Sequence, residues 1–104
     1  MNADSVGEIF ASRELYYLDQ TNKKKAVNVL IGQPQPTADL SGYECRFQVT
    51  GIGSQLIQTA RGRDSIQALQ AALILVAANL NHLNERFGRK LVWQGGFKGE
   101  LGFP

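Results

Sequence analysis

The sequence has one cysteine, Cys45, among its 104 residues. A lone cysteine cannot form a disulfide within its own chain, so no disulfide framework supports this fold. Hydrophobic residues make up 43% of the chain and charged residues 19%, which is the composition of a folded domain rather than of a disordered segment. We therefore expect a single domain over residues 1–104, with residues 1–7 and 95–104 as flexible or packed tails.

Histidine is equally scarce, and His82 is the only one. A metal ligand or general base at this position would need a second group within one helical turn, and Glu85 is the only candidate. Strand alternation places Cys45 on an apolar face, where a thiol is buried and unreactive. The sequence therefore indicates no catalytic residue, no metal site and no bound cofactor, and it favours a protein that is not an enzyme.

The chain also lacks a strong charge of either sign, since its formal net charge is only +2. Two short groups of basic residues lie at a hairpin tip and before a helix, and a third, Arg86, Arg89 and Lys90, lies at the far end of that helix, where it complements the helix dipole. A nucleic-acid surface would need such groups on one face, with exposed aromatic rings nearby. The candidate contacts for nucleic acid are Lys23, Lys24, Lys25, Arg61 and Arg63.

No apolar run is long enough to cross a membrane, which takes about 20 residues. The longest continuous run is AALILVAA, residues 71–78. The first residues, MNADSVGEIF, have neither the basic stretch nor the apolar stretch of a secretory signal. We expect no membrane association and a cytoplasmic location.

The apolar residues around that run recur at alternating steps of three and four, which predicts an amphipathic helix. The stripe consists of Ile66, Leu69, Leu73, Val76, Leu80, Leu83 and Phe87. Asp64 is a suitable N-cap with Gln67 three residues later, and Gly88 is a suitable stop. We predict one long core helix from about Ser65 to Phe87. A coiled coil is the alternative, but the flanking positions lack the Glu and Lys residues that usually set pairing.

Five other segments are typical of strands. YECRFQVT, Tyr43–Thr50, alternates apolar and polar residues, and QLIQTA follows it after a turn at Gly51 and Gly53. SRELYYLD and KAVNVLIG flank the polar QTNKK and predict a second hairpin, and KLVW offers a short strand after the helix. The loop Gly32–Gly42 contains two prolines, which predict no regular structure there. The order ββββαβ predicts an α+β fold: an antiparallel sheet of about five strands with one long helix packed across one face.

The width of this sheet predicts a role for the C-terminal residues QGGFKGELGFP. Five strands about 4.8 Å apart span about 20 Å, whereas one helix covers only about 10 Å. The large apolar residues Phe97, Leu101 and Phe103 could cover the remaining surface or dock a partner. The alternative is a disordered end.

Five segments taken together resemble a known family. They are FASRELYY, VNVLIGQPQP, YECRFQVTGIG, GRDSIQALQAAL and LVWQGGFKGELGFP. In order and spacing they are similar to a family of small uncharacterised bacterial proteins, a domain of unknown function. That family's pattern is Ile-Gly-x-Pro-x-Pro, Cys-x-Phe, Gly-x-Gly, Asp-x-x-Gln-Ala-Leu and a final Leu-Gly-Phe-Pro, and Arg46 departs from it because relatives often carry proline there. The resemblance implies a bacterial source and no established activity or cofactor.

These observations favour a protein-binding module that associates with itself or with a protein partner. A toxin-neutralising, phage-related or defence-related role is an analogy with other small bacterial proteins. The first alternative is a nucleic-acid-binding module that uses the Lys23–Lys25 tip with Arg61 and Arg63. The second alternative is a small-ligand pocket between the C-terminal tail and the sheet.

Overall fold

The computed structural model describes residues 6–86, 88, 91–93 and 101–103. The predicted α+β fold, with an antiparallel sheet of five strands and one long helix, is confirmed. The elements are β1 Ile9–Leu18, β2 Lys24–Gly32, β3 Gln35–Pro36, β4 Tyr43–Thr50, β5 Gln58–Gly62 and α1 Ser65–Arg86.

Strand β4 is the centre of the sheet. One of its edges pairs with β2 along residues 47–50 and with β3 along residues 43–44, and its other edge pairs with β5 along residues 43–47. Strand β1 pairs with the far side of β2, and every pairing is antiparallel. The outer strands are therefore β1 and β5, and alternate residues of β2 and β4 point into the core.

The first hairpin forms as predicted, and Asp19 organises its turn. The Asp19 carboxylate accepts hydrogen bonds from the amide and hydroxyl of Thr21 and from the amide of Lys23. These bonds, that of the Thr21 hydroxyl above all, lower the pKa of Asp19. Asn22 adopts φ 63°, in the left-handed region that asparagine tolerates better than most residues.

The prediction that the Gly32–Gly42 loop has no regular structure is wrong, because Gln35 and Pro36 form the short strand β3. Proline lacks an amide donor, but it is tolerated where a strand is short and lies at an edge. Residues 37–42 then make a tight turn in which the Thr37 amide donates to the carbonyl oxygen of Gly42.

The hairpin between β4 and β5 forms, but its second strand begins at Gln58 rather than at Gln55. The intervening loop contains three residues in the left-handed region: Gly51 (φ 90°), Gly53 (φ 71°) and Gln55 (φ 59°). Gln55 is fixed there by two hydrogen bonds, since its side chain accepts from the Gly51 amide and its carbonyl oxygen accepts from Gln48. The local backbone therefore cannot continue the extended strand.

The predicted start of the helix at Ser65, with Asp64 as its cap, is confirmed, and the helix ends at Arg86. The Asp64 carboxylate accepts from the Gln67 amide at 2.7 Å, and the Gln67 side chain accepts from the Arg63 amide at 2.6 Å. These two side chains therefore provide hydrogen-bond acceptors for two backbone amides at the start of the helix. Gly88 follows the helix with φ 81°, the left-handed conformation of a C-terminal stop.

The helix face that is buried in the structure is rotated about the helix axis relative to the predicted apolar stripe. The fully buried helix residues are Ala68, Ala72, Val76 and Leu80. Leu69, Leu73 and Leu83 flank this line and are half-buried, whereas Ile66 is 67% exposed and Phe87 lies outside the described residues. Small side chains at positions 68 and 72 let the helix backbone approach the sheet closely. A Cβ at Gly62 would collide with the backbone of Ala68, which shows how close this approach is.

The helix contacts β4 and β5, and four residues near the C-terminus pack on the rest of that face: Leu91, Trp93, Leu101 and Phe103. Leu91 and Leu101 are buried in the same core as Leu15 and Val27, and Trp93 and Phe103 pack against it. The predicted strand KLVW is reduced to one bridge, in which Val92 exchanges two backbone hydrogen bonds with Tyr16 at 2.8 and 2.9 Å. Lys90, the first residue of that segment, lies outside the described residues.

The first prediction tests the buried line of α1. We expect Leu80→Ala to lower the free energy of unfolding by about 2–5 kcal/mol, through lost transfer energy and the cavity that remains. Ile74→Ala is the matched control, because Ile74 is 61% exposed on the same helix, and we expect a change below about 0.5 kcal/mol. Urea unfolding of both variants measures the difference. Equal losses would show that the buried line is misplaced.

The second prediction concerns Asp39 in the β3–β4 turn. The hydroxyl of Thr37 and then the hydroxyl and amide of Ser41 donate to this carboxylate, which lowers its pKa from 3.8 to about 2. A lowered folded pKa stabilises the turn above about pH 4, and this contribution is lost as the pH falls toward 2. An NMR titration of the Asp39 carboxyl should therefore have its midpoint near pH 2. A midpoint near 3.8 would contradict these hydrogen bonds.

Candidate interaction surface

The two basic groups predicted to contact nucleic acid lie at opposite ends of the sheet. Arg61 pairs with Glu44 on β4, and Thr50, six residues further along β4, pairs with Asn28. Lys24 is four residues beyond Asn28 in the same direction, so at about 3.3 Å per residue it lies about 33 Å from Arg61. The structure does not join these groups into one patch, and the nucleic-acid interpretation stays a prediction.

The lysine tip is partly occupied by contacts within the chain. Lys25 Nζ lies 3.9 Å from an Asp19 carboxylate oxygen, and Lys24 Nζ lies 4.2 Å from the centroid of the Tyr16 ring. Lys23 is exposed in the turn, and Arg63 is exposed immediately before the helix cap. Lys24 and Tyr16 both point to the sheet face opposite α1, so one cation and one ring do share a surface there.

Arg13 holds Leu101, Gly102 and Phe103 to the sheet. Its Nη1 atom donates hydrogen bonds to the carbonyl oxygens of Leu101 (3.0 Å) and Gly102 (2.7 Å). The same guanidinium lies 4.0 Å from the centroid of the Trp93 ring and 4.7 Å from that of Phe103. One cation therefore contacts two carbonyl oxygens and two aromatic rings, which are both favourable partners for a guanidinium.

Of the three predicted apolar docking residues, Leu101 is buried and Phe103 is half-buried in their own chain, and Phe97 lies outside the described residues. A cavity of about 110 Å³ lies beside Phe103, lined in part by Arg13, Val29 and Leu73. This is the place that the small-ligand alternative indicates, but ligand pockets are typically about 300–1,000 Å³. Docking at these residues stays a prediction.

The scarce reactive residues do not come together. Cys45 is fully buried and donates from Sγ to the carbonyl oxygen of Gly32 at 3.4 Å, and burial raises the pKa of its thiol. His82 is exposed on α1. Within the described residues, no three His, Cys, Asp or Glu side chains could hold a metal ion together.

A different surface emerges along the side of α1 that faces β5. Asn79 identifies this side, because its amide donates to Gln58 on β5 at 2.6 Å. The neighbouring helix positions on that side are Ala71, Leu75, Ala78 and His82, and Leu75 is 42% exposed. No described segment pairs with the outer edge of β5. We call these four helix residues together with the outer edge of Gln58–Gly62 the α1–β5 surface.

A cleft of about 220 Å³ continues this surface at the Gln58 end. Its floor is apolar, and its rim carries polar side chains, including Gln58 and His82. Leu56, in the adjoining loop, is 67% exposed. No Lys, Arg, Asp or Glu occurs between Ser65 and Asn84, so the whole exposed side of the helix up to that point is uncharged.

The α1–β5 surface was not identified from the sequence as a docking site. The lack of charge in α1 is visible in the sequence, where it is consistent both with a core helix and with self-association. What the sequence could not show is which helix side meets the free edge of the sheet, because that depends on the packing of α1 over β4 and β5.

Residues 11–104 match the family model described as Domain of unknown function (DUF6968). The chain belongs to this family. The resemblance to a domain of unknown function is confirmed, whereas the bacterial source stays a prediction. Comparison of this DUF6968 chain with curated proteins and with solved structures finds no match.

The helix of the DUF6968 chain also has the length and mean hydropathy (1.3) of a membrane-spanning segment. Length and composition alone do not distinguish such a segment from a core helix. Here Ala68, Ala72, Val76 and Leu80 are buried against the sheet of the same chain, which is the packing of a core helix. The cytoplasmic location stays a prediction.

The third prediction tests the Arg13 contacts in the DUF6968 chain. Arg13→Met keeps an apolar stem but removes two charge-assisted hydrogen bonds and the cation, so we expect a loss of about 1–3 kcal/mol in the free energy of unfolding. Arg46→Met is the control, because Arg46 is exposed and its ion pair with Glu44 spans 4.0 Å. We expect that variant to lose less than about 1 kcal/mol.

Hydrogen exchange at residues 101–103 provides the second readout. These amides should exchange faster in Arg13→Met and be unchanged in Arg46→Met. Unchanged exchange in both variants would show that Arg13 does not hold the C-terminal residues.

Proposed function

We propose that this protein is a non-enzymatic protein-binding module and that the α1–β5 surface is its docking site. The observation that carries this proposal is that two surfaces without a described partner lie beside each other on one side of the molecule. One is an uncharged helix side with an exposed leucine, and the other is a sheet edge without a described partner. Each is a recognised means by which proteins bind other proteins.

The chemistry of the α1–β5 surface supports this choice over the other surfaces. Charged residues are depleted at the centre of protein interfaces, and the helix side contributes none. The exposed β5 edge offers backbone donors and acceptors to an added strand, which gives affinity independent of side-chain charge. The cleft beside Gln58 adds a concave site for an anchoring side chain.

The fourth prediction tests docking at this surface. A photoreactive benzophenone amino acid in place of Leu75 should give discrete protein adducts when the protein is irradiated in its source cells. The matched control is the same replacement at Leu40, an 81% exposed leucine in the β3–β4 turn, which should give none. Adducts that are no stronger at Leu75 than at Leu40 would contradict the proposed function.

A nucleic-acid interface is the second candidate, and the contact between Lys24 and the Tyr16 ring on the other sheet face favours it. Binding that depends on phosphate contacts weakens steeply with salt. Titration with single-stranded RNA and DNA at increasing salt, with Lys23→Ala and Lys24→Ala as variants, tests this candidate. No binding at low salt would exclude it.

A further inference from the structure

We propose that the partner at the α1–β5 surface is a second copy of this chain. In this dimer, β5 pairs with β5 of the other copy in antiparallel fashion about a two-fold axis. The two five-stranded sheets then form one continuous sheet, and the two α1 helices lie side by side on the same face. This inference rests on the proposed function and names the partner of that site.

The sequence of β5 suits pairing with itself. Its residues are Gln58, Thr59, Ala60, Arg61 and Gly62, with Ala60 at the middle. A two-fold axis at Ala60 places Arg61 opposite Thr59 and Gln58 opposite Gly62. The two copies of Arg61 therefore do not face one another, which avoids the repulsion of like charges directly opposite each other.

The position of α1 brings the two helices to packing distance. The helix contacts both β4 and β5, so its axis lies about half a strand spacing inside β5. The two β5 strands would lie about 4.8 Å apart, and each helix axis would lie about half that distance further from the two-fold axis. The two helix axes would therefore be about 10 Å apart. Packed helices have axes about 8–10 Å apart. Pairing of the strands therefore brings the helices into contact without any change in either copy.

Contacts within one chain fix which part of α1 lies at the two-fold axis. At one end of β5, Gly62 lies against the backbone of Ala68. At the other end, Gln58 accepts a hydrogen bond from Asn79. The middle of β5 therefore lies close to the middle of this helix stretch, near residue 74.

An axis at that position makes the helix side complementary to itself. Leu75 of one copy meets Leu75 of the other, and Ala71 meets Ala78. The four positions Ala71, Leu75, Ala78 and His82 are separated by four, three and four residues, which is the spacing of a seam between two helices. Alanines on both sides of the leucine pair allow close approach, and no charge opposes it.

The size of this interface indicates reversible association. The helix contributes a strip about 17 Å long, from Ala71 to His82, and the five residues of β5 contribute another of about 17 Å. With each strip about 10 Å deep, the interface covers roughly 340 Å² per copy. This area is well below the roughly 800 Å² per partner of standard stable interfaces. We therefore expect a dimer with a Kd in the micromolar range rather than a permanent one.

Sedimentation equilibrium from about 1 μM to about 1 mM, which spans the micromolar range of Kd values, tests the association. We expect the native protein to shift from monomer to dimer. Ala78→Arg places a charge in the helix seam and should raise the Kd about tenfold or more. Ala38→Arg, at an exposed alanine in the β3–β4 turn, should change it less than about twofold. A native protein that stays monomeric at about 1 mM would overturn the proposal.

Disulfide trapping tests the geometry independently of affinity. Only a residue close to the two-fold axis can bond to its own counterpart, so Leu75→Cys should form a cross-linked dimer on oxidation. Ile74→Cys is the control, because it is more exposed than Leu75 but points away from the seam. Equal cross-linking of the two variants would overturn the arrangement. Native-like circular dichroism of both variants ensures that the comparison concerns folded protein.

The experiment with benzophenone at Leu75 separates this proposal from the function on which it rests. An adduct with the mass of two copies of the chain supports both. An adduct with a different protein, together with a monomer in sedimentation, retains the protein-binding function and overturns self-association. No adduct above the Leu40 control removes the proposed function itself.

Discussion

One helix cannot cover a five-stranded antiparallel sheet, and much of this structure follows from that mismatch. The helix contacts β4 and β5, which leaves the apolar residues of β1 and β2 without helical cover. Residues near the C-terminus take this place, with Leu91 and Leu101 in the core and Arg13 holding the backbone at residues 101 and 102. The position of the helix near one edge of the sheet also leaves its β5 side without cover, and that side is the candidate interaction surface.

The periodicity of apolar residues predicted the helix and the strands well. Backbone geometry imposes a period of two residues in a strand and steps of three or four residues in a helix. The fold class, the start of the helix and the first hairpin followed directly from such patterns. The errors came from contacts that no local pattern contains. The predicted stripe does not include Ala68 and Ala72, although the small size of these residues lets the helix come close to Gly62. Pro36 was interpreted as excluding a strand, but its position at the edge of β4 removes that conflict.

The residues that carried the family resemblance have mainly structural roles in this chain. Cys45 and Phe47 fill the centre of the core, Gly51 and Gly53 provide left-handed turns, and Asp64 caps the helix. Gly102 has φ 79°, and a Cβ there would collide with both Arg13 and Trp93. Recognition of the family therefore could not indicate a site, since these residues explain how the chain folds. The α1–β5 surface became visible only when tertiary packing placed an uncharged helix side beside a free strand edge.

The hydrogen bonds from Arg13 to Leu101 and Gly102 join positions 88 and 89 residues apart. Closing so long a loop has an entropic cost that is recovered only when the contacts are complete. We therefore expect Leu101, Gly102 and Phe103 to detach from the core before α1, β4 and β5 unfold. Their detachment would expose Leu15 and Val27 to water. Amide exchange in β1 and β2 would then be faster than in β4 and β5.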